Sequence, residues 1–213
     1  MKEPEALLPK HGGYRKLKSF QIAQLVYDVT VRFCSRYIDK RSRTHDQMVQ
    51  AARSGVQNIA EGSQMSGTSK KMEMKLTNVA RASLEELRLD YEDFLRQRGL
   101  EKWEPDDPAL VRFKKKRCST LEEVQAWVKD EHRRALTDTA GHENHNKSMS
   151  VSVHESPKRK RLYSEIVANG VLSLLNLCCY FLDRQLAAQA ASFEKEGGFT
   201  ERLYRRRKSS RGK

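Results

Sequence analysis

Along most of this chain apolar residues recur every three to four positions and rarely every two. That spacing lines them up on one face of a helix, not on one face of a strand. From Tyr14 the positions Leu17, Phe20, Ala23, Tyr27, Val31, Cys34 and Ile38 keep the step, and Ile22, Val26, Val29 and Phe33 widen the face. A second helix starts at Thr44-His45-Asp46-Gln47, which has the form of a capping box, and mixes Met48, Ala52, Val56 and Ile59 with the small residues Ala51, Ser54 and Gly55. Small residues let another backbone come close, and Gly62 is expected to end this helix as a left-handed cap. A third helix, capped by Thr68 or Ser69 and ended by Gly99, carries the stripe Met72, Leu76, Val79, Ser83, Leu87, Tyr91 and Phe94 over roughly 45 Å. Its other side (Lys75, Arg81, Glu85, Arg88, Glu92) sets acids and bases at pairing distance.

Two prolines and four acids between Glu101 and Pro108 mark a boundary. Two short helices are expected after it, one over 108–116 and one capped by Ser119 and Glu122 that runs to about Ala135. The organisation predicted is a basic N-terminal segment (1–18), the first three helices (19–100), inserted short helices (101–136), a disordered loop rich in Ser, Thr, Asn, His and Gly (137–158), a fourth helix (159–196) and a basic tail after Gly197-Gly198 (197–213). Within these the long helices fall at 19–39, 46–61, 69–98 and 162–190. The fold class is all-α: an antiparallel four-helix bundle with a helical insertion before the fourth helix and a basic C-terminal tail.

Composition agrees with one modest core, since 38% of residues are hydrophobic and 32% charged. The most apolar stretch, Ile166–Leu182, is short for a membrane span, and Asn169, Ser173 and Asn176 make one polar stripe along it. A helix buried on several sides accounts for that better than lipid. Val171, Leu172, Leu174, Leu175, Leu177, Tyr180, Phe181 and Leu182 cover more of its circumference than three neighbours need, so self-association is expected. Pro4, Pro9 and the charges of the first 18 residues interrupt any signal-peptide stretch, and Cys34, Cys118, Cys178 and Cys179 form no disulfide framework. A cytoplasmic location, away from membranes, follows from these features.

The net charge is +13 and it is concentrated in blocks. Blocks of cations favour polyanions by releasing counterions from phosphate. The candidate phosphate contacts are Arg15, Lys16 and Lys18; Arg112, Lys114, Lys115, Lys116 and Arg117; Lys158, Arg159, Lys160 and Arg161; and Arg205, Arg206, Arg207 and Lys208. Tyr14, Phe113 and Tyr204 stand beside these blocks, placed either to stack on bases or to anchor their segments.

Catalytic and cofactor motifs are lacking. Gly62–Ser69 has glycines at phosphate-loop spacing, but Thr68 stands where the lysine belongs and a helix precedes it, so a helix–helix turn is expected. His142 and His145, with His132 and His154 at a distance, do not form a metal site of fixed geometry. Cys118 sits among Lys114–Arg117, a setting that lowers a thiol pKa, yet no base is paired with it. Glu61 is read as an end-of-helix acid paired with Arg53 or Lys70. No enzyme activity and no cofactor are expected.

Gln50, Ala51, Arg53, Ser54, Asn58, Ile59, Ala60, Glu61 and Gly62, with Ala80, Ser83, Leu84 and Glu86 in the third helix, resemble a known pattern. It belongs to the four-helix-bundle proteins encoded by intervening sequences in bacterial large-subunit ribosomal RNA genes. The likeness covers roughly Tyr14 to Leu100; the rest is similar to a longer variety with an added C-terminal segment. The resemblance implies a non-catalytic bundle that assembles as a homo-pentamer. A related branch resembles accessory proteins of diversity-generating retroelements, which implies nucleic acid and a reverse transcriptase as partners. The expected function is that of an oligomeric nucleic-acid-binding accessory protein, with RNA favoured over DNA. The alternative is an adaptor for a protein partner.

Overall fold

A computed structural model of the protein describes residues 11–143 and 161–211, and among these every regular element is a helix. A short 3-10 turn at Tyr14–Lys16 leads into α1 (Lys18–Tyr37), followed by α2 (Arg43–Met65), α3 (Lys70–Gln97), α4 (Pro108–Lys116), α5 (Leu121–Glu143), α6 (Tyr163–Glu196) and α7 (Phe199–Arg211).

The helix ends show which local signals decide the boundaries. Helix α2 is capped by Ser42, whose hydroxyl accepts from the Thr44 N–H at 3.2 Å, so the helix starts earlier than the Thr44 box predicts. It also runs past Gly62, which lies buried in the last turn of the helix and caps nothing. A Cβ there would sit 3.2 Å from the Glu73 carbonyl oxygen. At α3, Ser69 is the cap, accepting from the Met72 N–H at 3.2 Å. The exit is at Gly99 (φ +59°), where the Gly99 and Leu100 N–H groups return to the Arg96 and Leu95 carbonyls. Helix α5 has a true capping box one residue beyond the expected one. Thr120 Oγ1 accepts from the Glu123 N–H, and the Glu123 carboxylate takes the Ser119 and Thr120 N–H groups. It continues to Glu143, so the start of the segment expected to be disordered is helical; extending a formed helix needs no apolar stripe. The remainder of that loop lies outside the described residues.

The long helices close a ring: α1 packs on α2 and α6, and α3 packs on α2 and α6. Inside it Phe33, Tyr91 and Phe94 form an aromatic cluster, with the Tyr91 hydroxyl donating to Thr30 Oγ1 at 3.1 Å. The buried stripe of α3 is Thr77, Ala80, Leu84, Leu87, Tyr91, Phe94 and Leu95, whereas Met72 and Val79 are exposed. The expected stripe followed the larger side chains. Close packing against α2 instead selects the small Thr77 and Ala80. The family-like segment of α2 supplies the other half of this contact, since a Cβ on Gly55 would come within 2.6 Å of Leu84 Cδ2. Ser54 and Ser83 share a hydrogen bond at 2.9 Å, and Asn58 Nδ2 donates to both the Ser54 carbonyl and hydroxyl.

The insertion lies against α6 and α1. Trp127 of α5 presses its ring on Gly170 of α6 and packs 4.3 Å from Phe113 of α4. With α1 and α3 on its other sides, much of the apolar surplus of α6 is buried inside the chain: Val171, Leu172, Leu174, Leu175 and Leu182 are covered, leaving Leu177 and Tyr180 exposed. Asn169 is buried and holds the linker before α4. It accepts from the Trp103 N–H at 2.8 Å and donates to the carbonyls of Glu101 and Glu165. The apolar run extends into a longer helix than its own length suggests, one long and apolar enough to cross a membrane by length and composition alone, yet 67% of that window is buried inside the fold.

Candidate nucleic-acid interface

Three sequence-distant segments meet at the α2–α3 turn. The Gly12 N–H donates to the Ser63 carbonyl at 3.0 Å, which fastens the chain before α1 to the last turns of α2. The His11 imidazole lies against Gly67 in the turn. From the far end of the chain, Ser192 of α6 accepts from the Lys70 ammonium, and Arg202 of α7 donates to the Gly67 carbonyl at 3.3 Å. Helix α7 begins after Gly197 (φ +70°) and is held at its start by the Gly198 N–H on Glu201 Oε2 at 2.8 Å. Of the basic tail, Phe199–Arg211 is helical.

This arrangement brings Arg15, Lys16 and Lys18 to the same end as Arg205, Arg206, Arg207 and Lys208, and all of these side chains are exposed. Gln21 organises the first group: its amide donates to the Arg15 carbonyl, and its oxygen accepts from the Lys18 ammonium at 3.2 Å. Tyr14 packs edge-on to Phe20 and lies under the Arg15 guanidinium, so it anchors its segment. Tyr204 is 67% exposed.

The α4 block resolves differently. Arg112 grips Glu131 with two hydrogen bonds (2.7 and 2.5 Å), and because Glu131 is only 4% exposed this is a structural ion pair. Lys114 donates to the Pro105 carbonyl at 2.7 Å. Lys115, Lys116 and Arg117 are exposed, with Arg117 ending α4 in the left-handed conformation (φ 50°). Arg161 lies 4.1 Å over the Trp103 ring, pairs with Asp107, and presents its carbonyl to His132 Nδ1. Arg112 and Arg161 thus tie the insertion together through acids, although Arg112 stays exposed on its outer side. Phe113 is core. Lys158, Arg159 and Lys160 lie outside the described residues, as do His145 and His154.

The α2–α3 end also forms an open pocket of ≈ 390 Å³ lined by Leu17, Ser63, Ser66, Lys70, Glu73, Gln185, Ala188, Gln189 and Ser192, with residues 11–13. Burial raises the Glu73 carboxyl above its usual range, opposed by a hydrogen bond from Gln189 and by the charge of Lys70. Periodicity in the sequence does not point to this pocket. The one signal it offers is Gln185, Gln189 and Ser192, which repeat at i, i+4, i+7 just beyond the apolar run of α6.

Burial pushes the Cys118 thiol up and outweighs Lys116, the reverse of what its basic neighbours suggest. Burial likewise pushes Cys34 and Cys179 up to about 12. No group of three His, Cys, Asp or Glu side chains among the described residues could hold a metal. Gly62–Ser69 closes a helix–helix turn, in which the Thr68 and Ser69 N–H groups return to the Met65 carbonyl. Glu61 is exposed, and Lys70 turns to Ser192. No family model, curated protein or solved structure matches the chain.

Proposed function

We propose that this chain is a non-enzymatic accessory protein that binds nucleic acid through phosphate contacts, RNA in preference to DNA. The observation that carries the reading is the convergence of Arg15–Lys18 and Arg205–Lys208, nearly the whole sequence apart, on the α2–α3 end. Solubilising tails have no need to be fastened to one place; here Gly12–Ser63 and Arg202–Gly67 fasten them. Several cations on one surface release counterions together and give affinity that is weakly sequence-dependent and strongly salt-dependent. RNA is the preferred polymer on the resemblance to proteins encoded within ribosomal RNA genes.

The ring of long helices is read as an antiparallel four-helix bundle. In support, Ser54 pairs with Ser83 while Gly62 meets Glu73, and Arg81 pairs with Asp183 while Trp103 meets Asn169. Opposed residue numbers of this kind belong to neighbours running in opposite directions. Homo-oligomerisation, as a pentamer on the resemblance, rests on Leu177 and Tyr180 rather than on the whole apolar surplus of α6. The same exposed pair favours a second reading, an adaptor docking a protein such as a reverse transcriptase. Fluorescence anisotropy with labelled RNA and duplex DNA across a salt series decides between them. Binding to both at low salt that weakens steeply with salt supports the first reading, and absence of binding at low salt leaves the adaptor.

A further inference from the structure

Among the described residues three tyrosines are exposed, and two of them have their rings engaged. Tyr163 stacks on the His132 imidazole with centroids 3.8 Å apart. Tyr180 meets Phe181 edge-on, and its hydroxyl accepts from Arg184 at 3.1 Å. Tyr204 differs. It is the most exposed large apolar side chain of the described residues, and among them its side chain makes no ring, cation or hydrogen-bond contact.

The place of Tyr204 in α7 narrows what can lie on its ring. Phe199 and Leu203, one turn apart, are half-buried, and Arg202 donates to the Gly67 carbonyl, so this side of α7 is turned to the α2–α3 end. Tyr204 points about 100° round the helix from Leu203. Arg207 and Lys208, three and four residues on, share its face and are exposed. An open aromatic face with two cations one turn away matches a polymer in which flat bases alternate with phosphates. A lipid surface takes up the apolar side of a helix, and here Phe199 and Leu203 are turned the other way. An acidic protein segment would use the cations and leave the ring idle. The base must also be unpaired, because within a duplex both of its faces are covered by neighbouring bases.

We infer that Tyr204 stacks on an unpaired base of a single-stranded nucleic acid while Arg207 and Lys208 hold the flanking phosphates. The inference rests on the proposed phosphate binding and adds to it a preference for single strands. It adds no readout of sequence, since every base has a flat face.

The test measures binding of the full chain to a single-stranded RNA, to a strand of equal length with abasic sites throughout, and to a blunt RNA duplex. Two variants keep every charge: Tyr204→Phe retains a ring, and Tyr204→Leu retains apolar bulk alone. Tyr204→Leu is expected to bind the intact strand about tenfold more weakly than wild type, and the abasic strand and the duplex as wild type does. Tyr204→Phe is expected to match wild type on all three. Wild-type affinity of Tyr204→Leu for the intact strand overturns the inference and leaves phosphate binding standing. So does an equal loss on all three probes, or an equal loss in Tyr204→Phe, because the ring face is then not what binds. Absence of binding of all three to wild type at low salt removes both readings together.

Discussion

At Gly55 the absence of one carbon decides how closely two helices approach. Gly55→Val would drive methyls into Leu84, which is fully buried, and overpacking of this kind costs about 1–3 kcal/mol. The gain in helix propensity over glycine is less than about 1 kcal/mol, so a net loss is expected in urea unfolding. Substituting exposed Gln57 nearby should move stability by no more than about 0.5 kcal/mol. Asp90 carries a pH dependence of definite sign. Burial first, then the charges of Glu86 and Asp93, raise its carboxyl from 3.8 to about 6, and its Oδ2 is buried without a partner among the described residues. Between those values the folded protein holds a proton that the unfolded chain has released. Stability therefore falls as pH rises through the window, and the deficit is complete above about pH 6. Asp90→Asn is expected to raise the urea midpoint at pH 7.5, with the gain shrinking toward pH 4. A gain independent of pH would contradict the assignment. Little of this was legible in the sequence. The likeness of Gln50–Gly62 to a known motif marked the segment, but its work here is packing, and the basic character of Arg112 and Arg161 gave no sign that each faces an acid far away in the chain.

At the scale of the element, apolar periodicity located the four helices of the ring, while α5, expected to be short, runs on to Glu143. Gly99 was unambiguous, whereas Thr68 and Ser69 both offered a cap for α3 and Ser69 took it. Ser42 competed with Thr44, and Thr120 with Ser119, and in both cases position relative to the first free N–H groups decided. The apolar surplus of α6 is plain in the sequence and its cover is not, because nothing local tells a helix whether α5 or another copy will lie on it. Trp127 tests that cover. Trp127→Ala is expected to cost about 3–5 kcal/mol, because it opens a cavity against Gly170 and Phe113. Its Nε1 is buried without a partner among the described residues, so Trp127→Phe, which drops that donor and keeps a ring, should cost much less. Similar losses for the two variants in thermal or urea unfolding would mean that the ring does not hold α5 in place.

For the whole molecule, the all-helical class was readable from the sequence and the meeting of its two basic ends was not. The segments that carry Arg15 and Arg205 are both tied to the α2–α3 end, at Ser63 and Gly67, by hydrogen bonds that charge counting cannot anticipate. The proposed binding depends on that meeting. Its most direct test is the salt dependence of RNA affinity for wild type and for a variant with Arg205, Arg206, Arg207 and Lys208 replaced by alanine. Each phosphate of a single strand that the variant no longer neutralises lowers the log–log slope by about 0.7, so up to about 3 is at stake. The account predicts a folded variant, with helix content unchanged apart from α7, whose slope is shallower by the equivalent of one or more phosphates on every sequence tried. An unchanged slope, or a wild-type protein that binds no RNA at low salt, would contradict it.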